Sequence, residues 1–378
     1  MRVLHFISDT NIGGAGRLLC NQLRNMDTSE FESIVALPDK SKLVKELRAL
    51  PCKLILTKSE GDVSFSKNGY FESREIIKKL NPDIVHSHAS LSSRLAAANL
   101  HVPVKIFTKH CAFEPSAVYQ NPLLRFSFGA FNQVLSSCAL ASAGCACDDL
   151  IKMGYPRDKI KIILNGSEPI RILSRAERAI ILSSFGLNKN NFVISIFARL
   201  EEYKGHATFL RAAQLCKRYY PNFRFFIVGD GSRMDELKAL SCELGLDDVV
   251  CFTGFCEDVA PIFNITDINV NCSYKSETSS LSLSEGMSLG IPSVVSDCGG
   301  NTYMVKNGEN GLTFPMQNEE ALAMAIIRLY CDKELYKNCS ANAYGRYCTE
   351  FTAKAMTNKL MLLYKSEYEN YQKKRQRV

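Results

Sequence analysis

The stretch Phe192-Val-Ile-Ser-Ile-Phe197-Ala-Arg199-Leu-Glu-Glu-Tyr-Lys204-Gly-His206 joins an apolar run to a charged loop and to the start of a helical pattern. A run of mostly β-branched and aromatic residues before a loop predicts a buried strand, and the periodicity from His206 to Tyr219 predicts a helix. The same order of strand, loop and helix recurs on both sides of this stretch. The sequence therefore predicts an α/β protein built on parallel sheets.

The strand-like runs form two series, separated by a turn-rich segment at 164–169. They are Val3–Ile7, Ser33–Leu37, Lys53–Leu56, Ile84–His86, Val104–Thr108 and Ala139–Ala141, then Phe192–Phe197, Phe223–Val228, Val249–Phe252, Ile268–Asn271 and Ser293–Ser296. We therefore expect two Rossmann-like, doubly wound domains, at 1–167 and 168–351. A last helical stretch, within 352–378, has no predicted packing partner on sequence grounds alone.

Composition narrows the class of protein. The 378 residues are 46% hydrophobic and 22% charged, which is typical of a globular chain, and no apolar run is long enough to span a membrane. The 15 cysteines are odd in number, scattered and free of C-x2-C pairs, so we expect a cytoplasmic protein without structural zinc. For His86 and His88 we expect one packed and one exposed side chain rather than a metal site.

Two common nucleotide-binding motifs are not matched. Ser8–Ile12 precedes the glycines at 13–16, so the G-x-G-x-x-G fingerprint of dinucleotide enzymes does not follow the first strand directly. The segment Gly229-Asp-Gly231 lacks the third glycine, and no P-loop occurs. Gly14 still lies at a strand-to-helix turn, where a glycine lets a ligand approach the backbone.

Four charged side chains in the second series form a candidate site. Arg199 and Lys204 follow one strand and are able to converge on a diphosphate. Glu277 and Glu285 flank the start of a helix after another strand. Thr278–Ser280 are good caps for that helix, and the amides near Ser280 and Leu281 suit a phosphate.

These segments, taken in order, resemble the retaining glycosyltransferases of the GT-B fold, specifically family 4. The resemblance covers nearly the whole chain. It rests on 82–88 (P-D-[IV]-[VI]-H-x-H), Thr108-Lys109-His110, Asn165-Gly166, Ala198-Arg199-Leu200 with Lys204-Gly205, 226–231, 252–255, Glu277 with Glu285 (E-x7-E), Gly290-Ile-Pro292 and Gly299-Gly300.

The resemblance implies two domains that face a central cleft and a role for each matching residue. Diphosphate binding is implied for Gly14, Arg199, Lys204, Ser280 and Leu281. Sugar contacts are implied for Glu277 and His110, ribose binding for Glu285 and base contact for the backbone of Cys256, so that the catalytic set is His110, Glu277, Arg199 and Lys204. The last helix would return to the first domain. Thr278–Ser280 and Tyr303 depart from the family, which often has G-F-G and a Glu at these places.

The expected reaction moves a hexose-type sugar from a UDP- or GDP-linked donor to a saccharide or lipid-linked saccharide, in cell-surface polysaccharide biosynthesis. No D-x-D occurs to hold a divalent ion on the diphosphate, so we expect neither a metal nor another cofactor. No nucleic-acid partner is expected. A nucleotide-sugar epimerase of the same fold and a non-catalytic nucleotide-sugar binder are the alternatives.

The aromatic, amphipathic stretch Pro122–Leu135 has two interpretations. A helix that faces the core is the more common structure for such a pattern. The same pattern is typical of a helix that lies on an anionic membrane, which would place the protein peripherally at the inner face of the cell membrane.

Overall fold

The computed structural model describes residues 1–10, 13–59, 61–112 and 115–376. Within them the chain divides into two compact units. Unit 1 comprises Met1–Ser167 and the segment from Ala353 onward, and unit 2 comprises Glu168–Thr352. Asn11 and Ile12 of the first loop, and Arg377 and Val378 of the predicted last helix, lie outside the described residues.

Unit 1 is built on a parallel sheet of seven strands in the order β3-β2-β1-β4-β5-β6-β7. The strands are β1 (Arg2–Ile7), β2 (Glu32–Pro38), β3 (Lys53–Thr57), β4 (Ile84–His88), β5 (Val104–Lys109), β6 (Cys138–Ala141) and β7 (Ile160–Ile162). The helices are α1 (Gly14–Asn25), α2 (Leu43–Leu47), α3 (Lys67–Leu80), α4 (Leu91–Asn99), α5 (Pro122–Leu135), α6 (Gly144–Lys152) and α15 (Ala353–Arg375).

Unit 2 is built on a parallel sheet of six strands in the order β10-β9-β8-β11-β12-β13. The strands are β8 (Phe192–Phe197), β9 (Phe223–Val228), β10 (Val250–Gly254), β11 (Ile268–Asn271), β12 (Ser293–Ser296) and β13 (Gly311–Phe314). The helices are α7 (Arg175–Ser184), α8 (His206–Lys217), α9 (Met234–Glu243), α10 (Ala260–Ile265), α11 (Leu281–Ser288), α12 (Asn301–Met304), α13 (Glu319–Cys331) and α14 (Lys333–Arg346).

The predicted fold class, two Rossmann-like doubly wound domains, is confirmed. Both sheets are parallel throughout, and both are covered by helices, so the strands are buried along most of their length. Fully burying one large apolar side chain, such as Phe225 in β9, contributes about 1.5–3 kcal/mol to folding. No helix of the described residues combines the length and the apolar character that a membrane span needs.

Helix α15 packs on the sheet of unit 1, although it comes last in the chain. Tyr364 and Leu360 are fully buried against Val3, Val104 and strand β6. The Tyr364 hydroxyl lies 2.6 Å from Nδ1 of a strand β4 histidine. Unit 1 is thus completed by a segment that follows the whole of unit 2.

Each sheet reverses its strand order at one place, between β1 and β4 in unit 1 and between β8 and β11 in unit 2. In doubly wound sheets, ligands bind beyond the carboxyl ends of the strands at such a switch point. Val270 of β11 lies beside Ile196 of β8 in register, so the loops that leave these two strands start at the same edge.

Helix α5 contradicts the expectation that the aromatic stretch faces the core. Of its residues only Gly129 and Leu135 are buried. The helix is held to unit 1 by Asn132, whose Oδ1 accepts a 2.8 Å hydrogen bond from Arg94, and by the close contact of Gly129 with the Gly154 carbonyl. Most apolar side chains of α5 therefore face away from the core. The spacing of apolar residues in the sequence does not show which way such a helix faces.

Candidate functional site

The loop after β8 holds the two predicted cations. Arg199 is exposed, and its Nη2 donates to the Tyr203 hydroxyl at 2.9 Å. The Lys204 Nζ lies 5.4 Å from the centre of the Tyr203 ring. One tyrosine thus contacts both cations, and sequence reasoning missed it because no general motif requires an aromatic residue there.

Glycines allow this loop to pack closely on its neighbours. Gly205 has φ of +73°, and a Cβ there would lie 2.2 Å from the Cys272 carbonyl oxygen. Gly229 has φ of +142°, and a Cβ there would lie 2.0 Å from the Ala198 carbonyl oxygen. The positions of Arg199 and Lys204 therefore depend on two sites that only glycine satisfies.

Glu277 is the acidic centre of the site. Only 6% of the residue is exposed, and its Oε2 accepts hydrogen bonds from Lys204 Nζ at 2.8 Å, Ser273 Oγ at 2.6 Å and Asn271 Nδ2 at 3.3 Å. Burial raises the pKa of this carboxyl, but the Lys204 charge and the three hydrogen bonds outweigh burial and lower the pKa overall. Glu277 is therefore ionised at neutral pH and paired with Lys204.

A buried polar network continues behind Glu277. Asn271 Oδ1 and Ser296 Oγ accept from the Asn301 amide at 3.4 and 3.2 Å. All three residues lie at the ends of β11 and β12 or at the start of α12. Asn271 thus links the carboxylate to the neighbouring strand, and a network of this kind holds its members in one geometry.

Helix α11 begins beside this network. Ser280 precedes its first residue, Leu281, but its hydroxyl lies 3.0 Å from Ser282 Oγ and makes no side-chain cap bond to the helix. The predicted hydroxyl cap at Ser280 is therefore wrong. An uncapped first turn directs its N–H groups outward, as binding of an anion requires. Glu285 lies one turn further along α11 and is partly exposed.

Thr278–Ser280, which stand where the family often has G-F-G, are closely packed. Thr278 and Ser279 are buried, and Gly300 lies directly against Thr278, so that a Cβ at Gly300 would fall 1.9 Å from the Thr278 carbonyl oxygen. Gly300 N also donates to the Glu277 carbonyl at 3.1 Å. Tyr303 lies on α12, and its hydroxyl donates to Glu350 at 3.1 Å.

The predicted residues outside this cluster lie at the start of a helix or shortly after a strand. Gly14 is the first residue of α1, and a Cβ there would meet open space. Cys256 follows β10, and its thiol lies 3.5 Å from Thr253 Oγ1. His110 directly follows β5, is partly exposed, and its Nε2 lies 3.0 Å from His88 Nδ1. The expectation of one exposed histidine in 86–88 is wrong, since His86 and His88 are both completely buried.

Comparison with known proteins decides the family. The profile described as "Glycosyl transferases group 1" matches residues 177–346, and that of "Glycosyltransferase Family 4" matches residues 12–170. The chain belongs to the group 1, family 4 glycosyltransferases. The two matches together span most of the chain, and the predicted family is confirmed.

Individual relatives of this family 4 glycosyltransferase agree with that assignment. EpsD of Bacillus subtilis is 27% identical over 275 residues, which is 70% of this chain and 72% of EpsD. The UDP-Gal:alpha-D-GlcNAc-diphosphoundecaprenol alpha-1,3-galactosyltransferase of Escherichia coli is 28% identical over 277 residues, 70% of this chain and 71% of that enzyme. Anabaena HepE, solved in complex with UDP and glucose, superposes with a TM-score of 0.82 at 20% identity, covering 97% of this chain and 100% of HepE. The GT-B fold is thus confirmed.

Proposed function

We propose that this glycosyltransferase transfers a hexose-type sugar, with retention of the anomeric configuration and without a metal, from a nucleotide-diphosphate donor. The observation on which the proposal rests is the ion pair of the partly exposed Lys204 with the buried Glu277 at the β8/β11 switch point, in the loops that also carry Arg199 and the uncapped start of α11. Tyr203 contacts both cations, and α11 begins at Leu281, shortly after Glu277, with no side-chain cap from Ser280. Paired cations and a helix amino end are groups that suit a diphosphate.

The proposed roles follow from chemical type. Lys204 has three N–H donors, of which one is bound by Glu277, and Arg199 is exposed with a planar fork of donors. These two side chains and the amides at Ser280 and Leu281 would stabilise the negative charge that develops on the departing diphosphate. Glu285 would bind the ribose and the Cys256 backbone the base, while Gly14 would contact the diphosphate. Glu277 and His110 would contact the sugar.

The donor is proposed to be UDP-linked or GDP-linked. UDP is favoured because the E. coli relative is a UDP-Gal-dependent galactosyltransferase by name and HepE was solved in complex with UDP and glucose. Thermal-shift titrations with UDP, GDP and ADP are expected to raise the melting temperature most with UDP, by mass action on the folded state. A shift with GDP alone would contradict the preference for UDP and leave the reaction class intact.

The reaction itself has three direct tests. Incubation with UDP-sugars and a saccharide acceptor should release UDP at the same rate with and without EDTA, and NMR of the product should show the anomer of the donor. An inverted anomer would refute retention. A rate that EDTA abolishes would refute metal independence. Release of an altered nucleotide sugar without an acceptor would identify an epimerase instead.

The acceptor is proposed to be a saccharide or lipid-linked saccharide of cell-surface polysaccharide biosynthesis, met at an anionic membrane surface. The E. coli relative uses a diphosphoundecaprenol-linked acceptor by its name. Helix α5 supports the membrane contact, because Leu123, Phe126 and Val134 are 73%, 74% and 67% exposed and Arg125 is its only charged residue. Exposed aromatic and aliphatic side chains on one helix are suited to the interface of a bilayer.

Sedimentation with phosphatidylglycerol vesicles at low salt tests this contact. The native protein is expected to sediment with the vesicles, and a variant that combines L123S, F126S and V134S is expected to stay in solution with an unchanged melting temperature. Ile172→Ser is the matched control, since Ile172 is as exposed but lies in unit 2. Equal sedimentation of the native protein and the triple variant would rule out α5 as the contact.

A further inference from the structure

Four histidines meet at the switch point of unit 1. His5 lies in β1, His86 and His88 lie in β4, and His110 follows β5, so the cluster spans three adjacent strands. His5, His86 and His88 are completely buried, whereas His110 is partly exposed. No other part of the described chain brings three His, Cys, Asp or Glu side chains close enough to share an ion.

Three of the imidazoles form a line of contacts that ends at His110. His110 Nε2 lies 3.0 Å from His88 Nδ1, and His88 Nε2 lies 3.4 Å from His5 Nδ1. His5 Nε2, at the buried end of the line, has no hydrogen-bond partner. His86 stands beside this line and is bonded elsewhere, with Nδ1 2.6 Å from the Tyr364 hydroxyl and Nε2 2.7 Å from Thr108 Oγ1.

The protons in this line are constrained. Burial lowers the pKa of His5 and of His110 to about 4 and that of His88 well below its ordinary value, so all three rings are neutral at pH 7. A neutral imidazole has one N–H donor and one acceptor nitrogen. Choosing the proton position on one ring therefore determines the positions on the other two.

Two arrangements satisfy both contacts, and they differ at the buried end. In the first, His5 Nδ1–H donates to His88, His88 Nδ1–H donates to His110 Nε2, and His5 Nε2 is an unused acceptor. In the second, every proton lies on Nε2, and His5 buries an N–H donor without a partner. Buried donors without a partner are rarer in proteins than acceptors that are not fully used, which favours the first arrangement.

We propose that His88, supported by His5, is a positioning residue that holds His110 as its Nδ1–H tautomer in one ring orientation. The proposal rests on the proposed function in one respect, namely that His110 contacts the donor sugar. A sugar hydroxyl that reaches His110 would then meet a ring whose nitrogen roles are set before the ligand binds. Such preorganisation assists the reaction because no ring flip or proton shift accompanies it.

Nitrogen-15 NMR of the native protein tests the tautomer without any substrate. Selective labelling is practical because the chain has only six histidines. His88 and His110 are expected to show the shifts of a protonated Nδ1 and a bare Nε2. His101→Asn, which removes an exposed histidine outside the cluster, is the control and should leave both patterns unchanged. Protonated Nε2 on His110 in the native protein would overturn the proposal.

Two substitutions at His88 separate positioning from packing. His88→Asn places an amide N–H near the position of Nδ1 and should keep the Nδ1–H tautomer of His110 and most of the turnover. His88→Leu removes the donor and should lower kcat by about tenfold or more, with KM for the nucleotide sugar within roughly twofold. Melting curves show whether each variant is folded. A folded His88→Leu variant with native kcat would refute the positioning role.

Binding of UDP distinguishes failure of this inference from failure of the proposed function. The residues proposed to hold the nucleotide in unit 2 are unchanged in these variants, so UDP should raise the melting temperature of each variant as much as that of the native protein. Elemental analysis adds a further check: a stoichiometric transition metal held by His5, His86 and His88 would replace the hydrogen-bonded line and overturn the proposal.

Discussion

At the scale of single residues, the site is organised by an ion pair between the buried Glu277 and the partly exposed Lys204. Lys204 and Glu277 are separated by 73 residues in the chain, yet Nζ and Oε2 lie 2.8 Å apart. Both residues are predictable from their motifs, which assign Lys204 to the diphosphate and Glu277 to the sugar. The pairing was not predictable, because it depends on how β8 and β11 lie side by side.

Removing one charge of the pair should lower the free energy of unfolding more than removing both charges. Lys204→Met leaves the Glu277 carboxylate buried without its cation, which typically destabilises a protein by about 3–5 kcal/mol. In the double variant Lys204→Met/Glu277→Gln the free energy of unfolding should recover most of that loss, while turnover stays low. Urea unfolding at pH 7.5 and UDP release measure the two quantities. Additive losses of stability would show that the two side chains do not interact.

Tyr203 should matter for donor affinity and little for stability. Tyr203→Phe removes the hydroxyl that holds the exposed Arg199, so KM for the donor should rise about three- to tenfold, equivalent to ~1 kcal/mol for one hydrogen bond. Tyr219→Phe is the control, because Tyr219 is highly exposed and lies outside the site. Equal KM values for both variants would show that Arg199 needs no support from this ring.

At the scale of elements, strands with long apolar runs were predictable from the sequence, and strands without such runs were not. The apolar runs of β8, β9, β11 and β12 have the bounds that the sequence predicts. Strand β7 has only three residues, two of them exposed, and β13 begins with glycine, so neither has a run long enough to detect. Helix α1 starts at Gly14, because the glycines that the sequence predicts as a strand-to-helix turn form its first turn.

Close packing of α12 on the loop after β11 is expected to be sensitive to one methyl group. Gly300→Ala would place a Cβ 1.9 Å from a backbone oxygen of Thr278, so the loop that holds Glu277 must shift. We expect a loss of about 1–3 kcal/mol in stability and weaker binding of UDP.

Gly345→Ala is the matched control for this prediction. It adds the same methyl group within helix α14, where the new Cβ meets open space. Because alanine is a better helix former than glycine, this change should stabilise the protein by about 0.5–1 kcal/mol. If both glycine variants change stability alike, the contact at Gly300 is not restrictive.

At the scale of the whole molecule, the partly buried acid Asp267 links the stability of unit 2 to pH. Burial raises the pKa of Asp267 to about 6, although its carboxylate accepts a 2.7 Å hydrogen bond from Val193 N. Since the folded state then binds the proton more tightly than the unfolded state, this group makes stability fall as pH rises from about 4 to about 6.

Asp267→Asn should remove that dependence. The amide oxygen keeps the bond from Val193, and no charge is buried above pH 6, so stability at pH 7 should increase by up to about 3 kcal/mol, the equivalent of two pKa units. Urea unfolding at pH 4.5, 6 and 7.5 measures the difference between the two proteins. A constant difference at all three pH values would show that Asp267 does not titrate in this range.

The return of helix α15 to unit 1 has a consequence for biosynthesis. As the ribosome releases the chain from its amino end, the strands of unit 1 emerge early, but the helix whose Leu360 and Tyr364 cover one face of their sheet is still missing. Unit 2 is one uninterrupted segment and is complete before α15 is translated. The nascent chain therefore finishes its second half first, and until residue 364 leaves the exit tunnel its first half exposes apolar sheet on which a chaperone can act.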